Sequence, residues 1–271
     1  MFESRNTDQV RTANAGVQGS KPASRDFFTS DLSTKEFASI QDAGFEPLGL
    51  VVGTSIYHIG FQRPKFTQSQ ELETLTQAMY HARDLAMSRL EAEASALGAD
   101  GVVGINLTIG MQQWGENLAE FLAVGTAVKS NGGSFLTPSG RPFTSDLSGQ
   151  DLWVLIKTGY RPMAFVMGNC VYHVGYQGVK AAFSQIGQNV ELPMFTQALY
   201  SARELAVSRM RSEGMDSGAN GIVGVTVTQS CQAWDNHIIE FFAVGTSVAK
   251  MGERTAASPT QVLPLIDFPR Y

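Results

Sequence analysis

The segment EFLAVGT at residues 120–126 returns as EFFAVGT at residues 240–246, and it belongs to a repeat that spans most of the chain. The two copies are 115 residues apart up to Gln62 and 120 residues apart from Thr76 onward, so a five-residue insertion lengthens the second copy. A repeat of this length is far longer than a solenoid unit, and we expect each copy to be a domain with its own core. Further matches join 29–33 to 144–148, 57–60 to 172–175, and 77–83 to 197–203.

The composition favours a protein that hides much of its surface in an oligomer. Only 17% of the 271 residues are charged, whereas 27 are glycines. The net charge of −5 and the lack of a Lys/Arg cluster argue against a nucleic-acid partner. No apolar run approaches the roughly 18 residues that span a membrane, so we expect no membrane partner. Two cysteines do not form a disulfide framework, which predicts a cytoplasmic location.

Local patterns predict the elements of each copy. Ser33 suits the N-cap of a short helix, Glu36 completes a capping box, and Gly44 suits the C′ position; the second copy repeats this from Ser148. A strand pair or bent strand follows at 47–62, and its counterpart lies at 162–177. Glycines at 53, 60, 168 and 175 indicate a bulge or a close backbone approach there.

A long amphipathic helix comes next, at about 71–97. Its apolar residues recur at spacings of three and four, from Leu75 to Leu90, and the second copy repeats them from Phe195 to Met210. A strand at 101–111 and an antiparallel partner at 118–129 follow. The fold class is therefore α+β, with two homologous tandem domains that each pack a long helix on an antiparallel sheet.

The domain organisation follows from these elements and from the segments between them. The first 27 residues lack an apolar signal-peptide core and are predicted to be a disordered arm. The other parts are a first repeat at 28–130, a Gly/Ser/Pro-rich linker at 131–142, a second repeat at 143–250, and a proline-containing tail at 251–271 that we expect to dock on a neighbouring surface.

Three segments of the first copy resemble the YbjQ family, also called UPF0145 or DUF74. They are ARDLA at 82–86, ALGADGVVG at 96–104 and GTAV at 125–128. The second copy departs from this pattern at Asn220, where the first has Asp100. Members of the family are small α+β domains that form ring-shaped homopentamers, and the resemblance implies such pentamers here. Some members carry a heavy-metal-binding label, and no enzymatic activity is established in the family.

The chain is poor in ligands for a soft metal. Such a site needs two to four converging Cys or His side chains, often at a Cys-x-x-Cys spacing. Cys170 and Cys231 align with Ser55 and Met111 of the first copy, so neither thiol belongs to the shared design. Only the histidine at 58 is kept, as 173. We therefore predict no metal site and no cofactor, and His58 and His173 stay as candidates for a ligand or ring-axis role.

Arg89 and Glu93 fall near the middle of the apolar stripe of the long helix, and their i,i+4 spacing allows them to pair. They form either an anion-binding or catalytic site, or a buried hydrogen-bond hub that fixes helix against sheet or subunit against subunit; we favour the hub. Arg89 and its counterpart Arg209 are then expected to be buried and paired with carboxylates. The predicted structural and interface hub is Arg83, Arg89, Glu93 and Trp114, with their counterparts Arg203, Arg209, Glu213 and Trp234.

Catalysis finds little support in the sequence, so we expect no enzyme. Asp100 is lost in the second copy, and Glu120, kept as Glu240, has no kept Ser/His or Cys/His partner. The glycines at 98–104 follow a helix and precede a strand, which is the reverse of a phosphate-binding loop.

The favoured function is a self-assembling structural protein that forms pentamer-based rings or a closed hollow shell and encloses or binds a cargo. The alternative is a metal or small-ligand binder that uses ring axes, and a weaker one is an enzyme of unknown reaction. A tandem chain can place its domains in one ring of five chains, in two stacked rings, or across two rings. About 30 chains would fill the 60 positions of twelve pentamers, and a linker of twelve residues reaches roughly 40 Å.

Overall fold

The computed structural model describes residues 28–58, 69–111, 118–175, 193–231 and 238–251. Within these ranges the chain forms two units of one kind, which confirms the predicted α+β fold of two sheet–helix units. The elements of the first are α1 (Thr34–Asp42), β1 (Phe45–His58), β2 (Gln70–Glu71), α2 (Glu73–Ala96), β3 (Gly101–Met111) and β4 (Leu118–Ser130). Those of the second are β5 (Phe143–Thr144), α3 (Gly149–Lys157), β6 (Tyr160–His173), α4 (Pro193–Asp216), β7 (Gly221–Cys231) and β8 (Ile238–Lys250).

Each unit has a sheet of three long antiparallel strands, and each sheet takes a two-residue strand from the other unit. The strand order is β1-β4-β3-β5 in the first sheet and β2-β6-β8-β7 in the second. β5 runs parallel to β3, with Phe143 opposite Gly101. β2 runs antiparallel to β6, with Gln70 opposite His173. The exchange of short strands ties the two units together in both directions.

The short helices begin where the capping residues predict. The Ser33 N–H donates to Glu36 Oε2 at 2.8 Å, and the Glu36 N–H donates to Ser33 Oγ at 3.4 Å, so the capping box is complete. Gly44, just after the helix, has a φ of +88°, a left-handed conformation that suits glycine at C′. In α3, Ser148 Oγ accepts from the Asp151 N–H in the same way.

The segment predicted as a strand pair or bent strand is one strand in each unit. Register shifts after Pro47 in β1 and after Pro162 in β6 mark a bulge in each. Gly53 faces α2 so closely that a Cβ there would overlap the Ala86 carbonyl oxygen and lie 2.7 Å from the Leu90 nitrogen. The predicted close backbone approach is therefore present at Gly53, whereas residue 60 lies outside the described ranges.

The core consists of alternating sheets and helices. One cluster places Met79 and Leu90 of α2 against Phe121 of the first sheet and against Met167 and Val171 of the second. A separate cluster packs α4 on the other face of the second sheet through Ala202, Ala206 and Met210. The layers thus run first sheet, α2, second sheet, α4. None of the described helices is long and apolar enough to cross a membrane.

The linker is packed against the units rather than extended. The Arg161 guanidinium donates from Nη2 to the carbonyl oxygens of Phe135 and Leu136, at 2.8 and 2.7 Å. The Phe135 ring meets Phe45 and Phe143 edge-on, at centroid distances of 5.1 and 5.8 Å. The 40 Å reach of an extended linker is therefore not used. The predicted arm at 1–27 and the tail from residue 252 lie outside the described residues.

Candidate assembly interface

The interface between the two units centres on a buried ion pair. Arg83 lies on the face of α2 that meets the second sheet, and its Nη2 is 2.7 Å from Oε1 of Glu240 on β8. Both side chains are only 1% exposed. The Arg83 guanidinium also stacks over the Phe242 ring, 4.0 Å from its centroid. Burial lowers the pKa of Arg83 and the charge of Glu240 opposes that shift. Such a pair favours one register between the units, because any other register would leave a buried charge without its counter-charge.

The start of α2 covers the outer edge of β6. Asn169 Nδ2 donates to the Thr76 carbonyl oxygen at 3.0 Å, and the Val171 N–H donates to Thr76 Oγ1 at 2.9 Å. The Leu72 N–H donates in turn to the Val171 carbonyl oxygen at 2.8 Å. An edge strand has unpaired main-chain groups, and these bonds satisfy them from the other unit.

Arg89 and Glu93 do not pair with each other; each bonds the main chain of β1. Glu93 Oε2 accepts from the Val52 N–H at 2.7 Å, and Arg89 Nη1 donates to the Thr54 carbonyl oxygen. The expected burial of Arg89 is wrong, because its side chain is exposed. The helix stripe overhangs β1, an edge strand, so residues near its middle meet unpaired main-chain groups rather than the centre of the sheet.

The second unit repeats this arrangement and adds an ion pair across the units. Glu213 Oε2 accepts from the Met167 N–H at 3.0 Å, and Arg209 Nη1 donates to the Asn169 carbonyl oxygen at 2.8 Å. Arg209 also binds both carboxylate oxygens of Glu71, at 2.6 and 3.0 Å. Burial alone would raise the pKa of Glu71, but hydrogen bonds from Arg209 and Thr76 hold it below its ordinary value. The predicted carboxylate partner of Arg209 thus comes from the other unit.

Glu213 lines a cleft of about 640 Å³ between the units. Burial raises its pKa to about 7, although the Met167 N–H and the Tyr80 hydroxyl donate to it; the negative charges of Asp84 and Asp216 raise it further. A carboxyl group with this pKa changes its charge near neutral pH. The folded chain therefore binds a proton at Glu213 more tightly than the unfolded chain does.

We expect the chain to lose stability as the pH rises from about 5 to 8, and Glu213→Gln to remove part of that loss. The folded pKa of Glu213 lies above its unfolded value of 4.5, so its contribution is complete below pH 4.5 and is lost as the pH rises through about 7. The effect is on the order of 2 kcal/mol. Urea unfolding at several pH values measures it. Glu93→Gln, at the exposed counterpart, should leave the pH dependence as it is in the wild type.

The other predicted residues do not form a common site in the described ranges. His58 is exposed whereas His173 is buried, so the two kept histidines sit in different environments. Burial and the neighbouring Glu71 raise the pKa of the Cys170 thiol to about 12. Within the residues that the structure describes, no group of three or more His, Cys, Asp or Glu could hold a metal ion. The indoles at 114 and 234 and the thiol at 231 fall outside what is described.

Arg83 and Arg203 occupy equivalent positions in different surroundings. Arg83 is buried against the second sheet, whereas Arg203 is exposed and lies over the ring of its own neighbour Tyr200, at 4.8 Å. Sequence reasoning did not assign Glu240, Glu71 or Thr76 to the interface. The signal for Glu240 was that both copies keep this glutamate. From the sequence alone it was considered only as a catalytic carboxylate, for which no kept partner was found.

The profile of a protein family described as "Putative heavy-metal-binding", the YbjQ profile, matches residues 40–131 and 161–250. The chain belongs to the YbjQ family. Single-domain relatives match one copy each: a UPF0145 protein of Pseudothermotoga lettingae is 38% identical over 97 residues, which cover 33% of this chain and 90% of the relative. A UPF0145 protein of Halorubrum lacusprofundi is 39% identical over 89 residues, 31% of this chain and 84% of the relative.

A relative of another kind matches nearly the whole tandem chain. The encapsulin nanocompartment protein Rv1762c of Mycobacterium tuberculosis is 50% identical over 240 residues. The match covers 88% of this chain and 92% of that protein. The similarity therefore extends across both units and the linker, and not only across one YbjQ domain.

Proposed function

We propose that this chain is a self-assembling structural protein whose copies form pentamer-based rings and, from them, a closed hollow compartment. The observation that carries the proposal is its 50% identity, over nearly the whole chain, to a protein named as an encapsulin nanocompartment protein. The role is structural rather than enzymatic, and a cargo enclosed by or bound to the assembly is part of the proposal.

Exposed apolar surface at both ends of the layered structure supports self-assembly. Val52 and Ile56 on the outer face of the first sheet are 38% and 50% exposed. At the other end, Tyr200 of α4 is 56% exposed and lies beside Arg203. Exposed apolar side chains on an outer face are typical of surfaces that associate.

The packed linker favours one of the ring arrangements over the others. Because the linker and the Arg83–Glu240 pair hold the two units in contact, both units fit more readily into one ring than into two separate rings. Five chains would then give a ring of ten units with five-fold symmetry. A closed compartment needs further contacts between such rings.

The native mass of the purified full-length protein tests this function. One chain has a mass of 29.3 kDa, so a ring of five chains has about 147 kDa and a closed shell many times that mass. Light scattering and electron microscopy on the native protein distinguish these forms. A mass of about 29–59 kDa contradicts every version of the proposal, and a mass near 150 kDa contradicts only the compartment.

Binding of a metal or small ligand at ring axes remains the alternative function. Its support is the family description, and neither Cys170 nor His173, both buried, presents a ligand at the surface of the chain. The prediction that the chain binds no metal through its cysteines stays a prediction, as does its cytoplasmic location.

A further inference from the structure

We propose that copies of this chain join head to tail through a second version of the interface that joins the two units within one chain. In this join, α4 of one copy packs on the outer face of the first sheet of the next copy, as α2 packs on the second sheet inside the chain. The proposal rests on the proposed function and names the surfaces that would carry the assembly.

The first support is the charge pattern. Arg83 of α2 pairs with Glu240 of β8 inside the chain. The counterpart of Arg83 is Arg203, which α4 exposes, and the counterpart of Glu240 is Glu120, which lies half-buried on β4. A second copy whose first sheet lies on α4 would bring Arg203 against Glu120. The repeat therefore provides the two charges that a second join needs.

The second support is the apolar surface of the two sheets. Met167 and Val171 of β6 are buried because α2 covers them. Their counterparts on β1 are Val52 and Ile56, which are exposed. The first sheet therefore presents, on its uncovered face, the same kind of surface that the second sheet buries under a long helix.

The third support is independent of the first two and concerns a glycine under an aromatic ring. Phe143 of β5 lies directly on Gly101 of β3, where a Cβ would overlap the ring. The counterpart of Gly101 is Gly221, and a Cβ at Gly221 would meet no atom within 4 Å. The counterpart of Phe143 is Phe28, which is 43% exposed. One unit thus has a filled site, and the other has an open one beside a cleft of about 370 Å³.

Phe28 is positioned on its own unit as Phe143 is on the other. Ser30 Oγ lies 3.1 Å from Thr126 Oγ1, and the Asp31 N–H donates to the same oxygen at 3.4 Å. In the second unit, Ser145 and Asp146 make the same two contacts with Thr246, at 2.9 and 3.1 Å. If the first sheet of the next copy docks on α4 as the second sheet docks on α2, its Phe28 reaches Gly221.

The charge pair and the aromatic contact require the same relative placement of the two copies. Both the Arg203–Glu120 pair and the Phe28–Gly221 contact join the second unit of one copy to the first unit of the next. Such an interface uses two different surfaces, so it is heterologous, and it forms a ring when the rotation between successive copies closes. A ring built in this way takes whole chains and contains an even number of units.

Charge reversal in the full-length protein tests the proposal. We expect Arg203→Glu alone and Glu120→Arg alone each to weaken the join between copies by about 30-fold or more. The double variant, Arg203→Glu with Glu120→Arg, should regain most of the assembly, because each reversed charge then meets its opposite on the next copy. Ser208→Glu is the matched control, since its counterpart Ser88 is exposed even though α2 lies between two sheets. Sedimentation velocity over a range of protein concentrations measures the join.

A second variant separates assembly from folding. Gly221→Val has open space around it in a single chain, so its circular dichroism should match the wild type, while the larger side chain excludes Phe28 of the next copy and reduces the assembled mass. If the wild type assembles and both Arg203→Glu and Gly221→Val assemble equally well, the proposal is wrong and the structural function stands. Failure of the double variant to regain assembly that both single variants lose also contradicts it. A wild type that stays monomeric overturns both.

Discussion

Arg83→Ala is expected to lower the free energy of unfolding by about 3–5 kcal/mol, because it leaves the carboxylate of Glu240 buried without the guanidinium that balances its charge. The two side chains are 1% exposed and their charged atoms lie 2.7 Å apart, so the carboxylate of Glu240 has almost no contact with solvent. Urea unfolding followed by circular dichroism measures the change. A loss below about 1 kcal/mol would mean that the pair is not buried in solution.

Two further variants define the origin of this loss. Arg141→Ala removes a charge that is 72% exposed and 3.7 Å from Glu91, and it should change the unfolding free energy by less than about 1 kcal/mol. Arg83→Met combined with Glu240→Leu replaces the ion pair by apolar side chains and should recover most of the stability. Recovery would show that the penalty of Arg83→Ala comes from the stranded carboxylate.

Gly168→Ala should destabilise the protein by about 3 kcal/mol, for a reason that involves no charge. A Cβ at residue 168 would overlap the Ala206 carbonyl oxygen and lie 2.5 Å from the Met210 nitrogen. Both are main-chain atoms of α4, so the whole helix has to move away from β6. The same denaturation experiment measures the effect.

Gly132→Ala is the control for this substitution. Gly132 lies in the exposed linker with no atom closer than 4.0 Å to the new Cβ, and the change should be within about 0.5 kcal/mol or slightly stabilising. Equal effects at the two glycines would contradict the close approach of α4 to β6.

The elements that depend on local sequence were predictable. The capping residues Ser33 and Glu36 and the C′ residue Gly44 determine the ends of α1 within a few residues, and the strand at 101–111 has the predicted bounds. The tight contact at Gly53 followed from a glycine in a strand that is otherwise rich in apolar residues. These features arise from neighbours in the chain, so a single sequence contains the information.

The features that depend on layer order were not predictable. The helices α2 and α4 have closely related sequences, yet α2 is covered on two sides and α4 on one. Arg83 and Arg203 are therefore the same residue in the same sequence context, and only the fold makes one buried and the other exposed. Helical periodicity shows which residues share the apolar side of a helix. It does not show that part of this side lies over an edge strand, as it does at Arg89.

The fusion of two units into one chain affects how any assembly built from them responds to dilution. Half of the contacts in a head-to-tail array of such chains would be of the Arg83–Glu240 type, formed within a chain at an effective concentration in the millimolar range or above. Only the contacts between chains would then form or dissociate as the protein concentration changes. Dilution would release intact pairs of units and never single ones, and substitutions on the outer face of α4 would shift the concentration threshold for assembly without disturbing the fold of the pair.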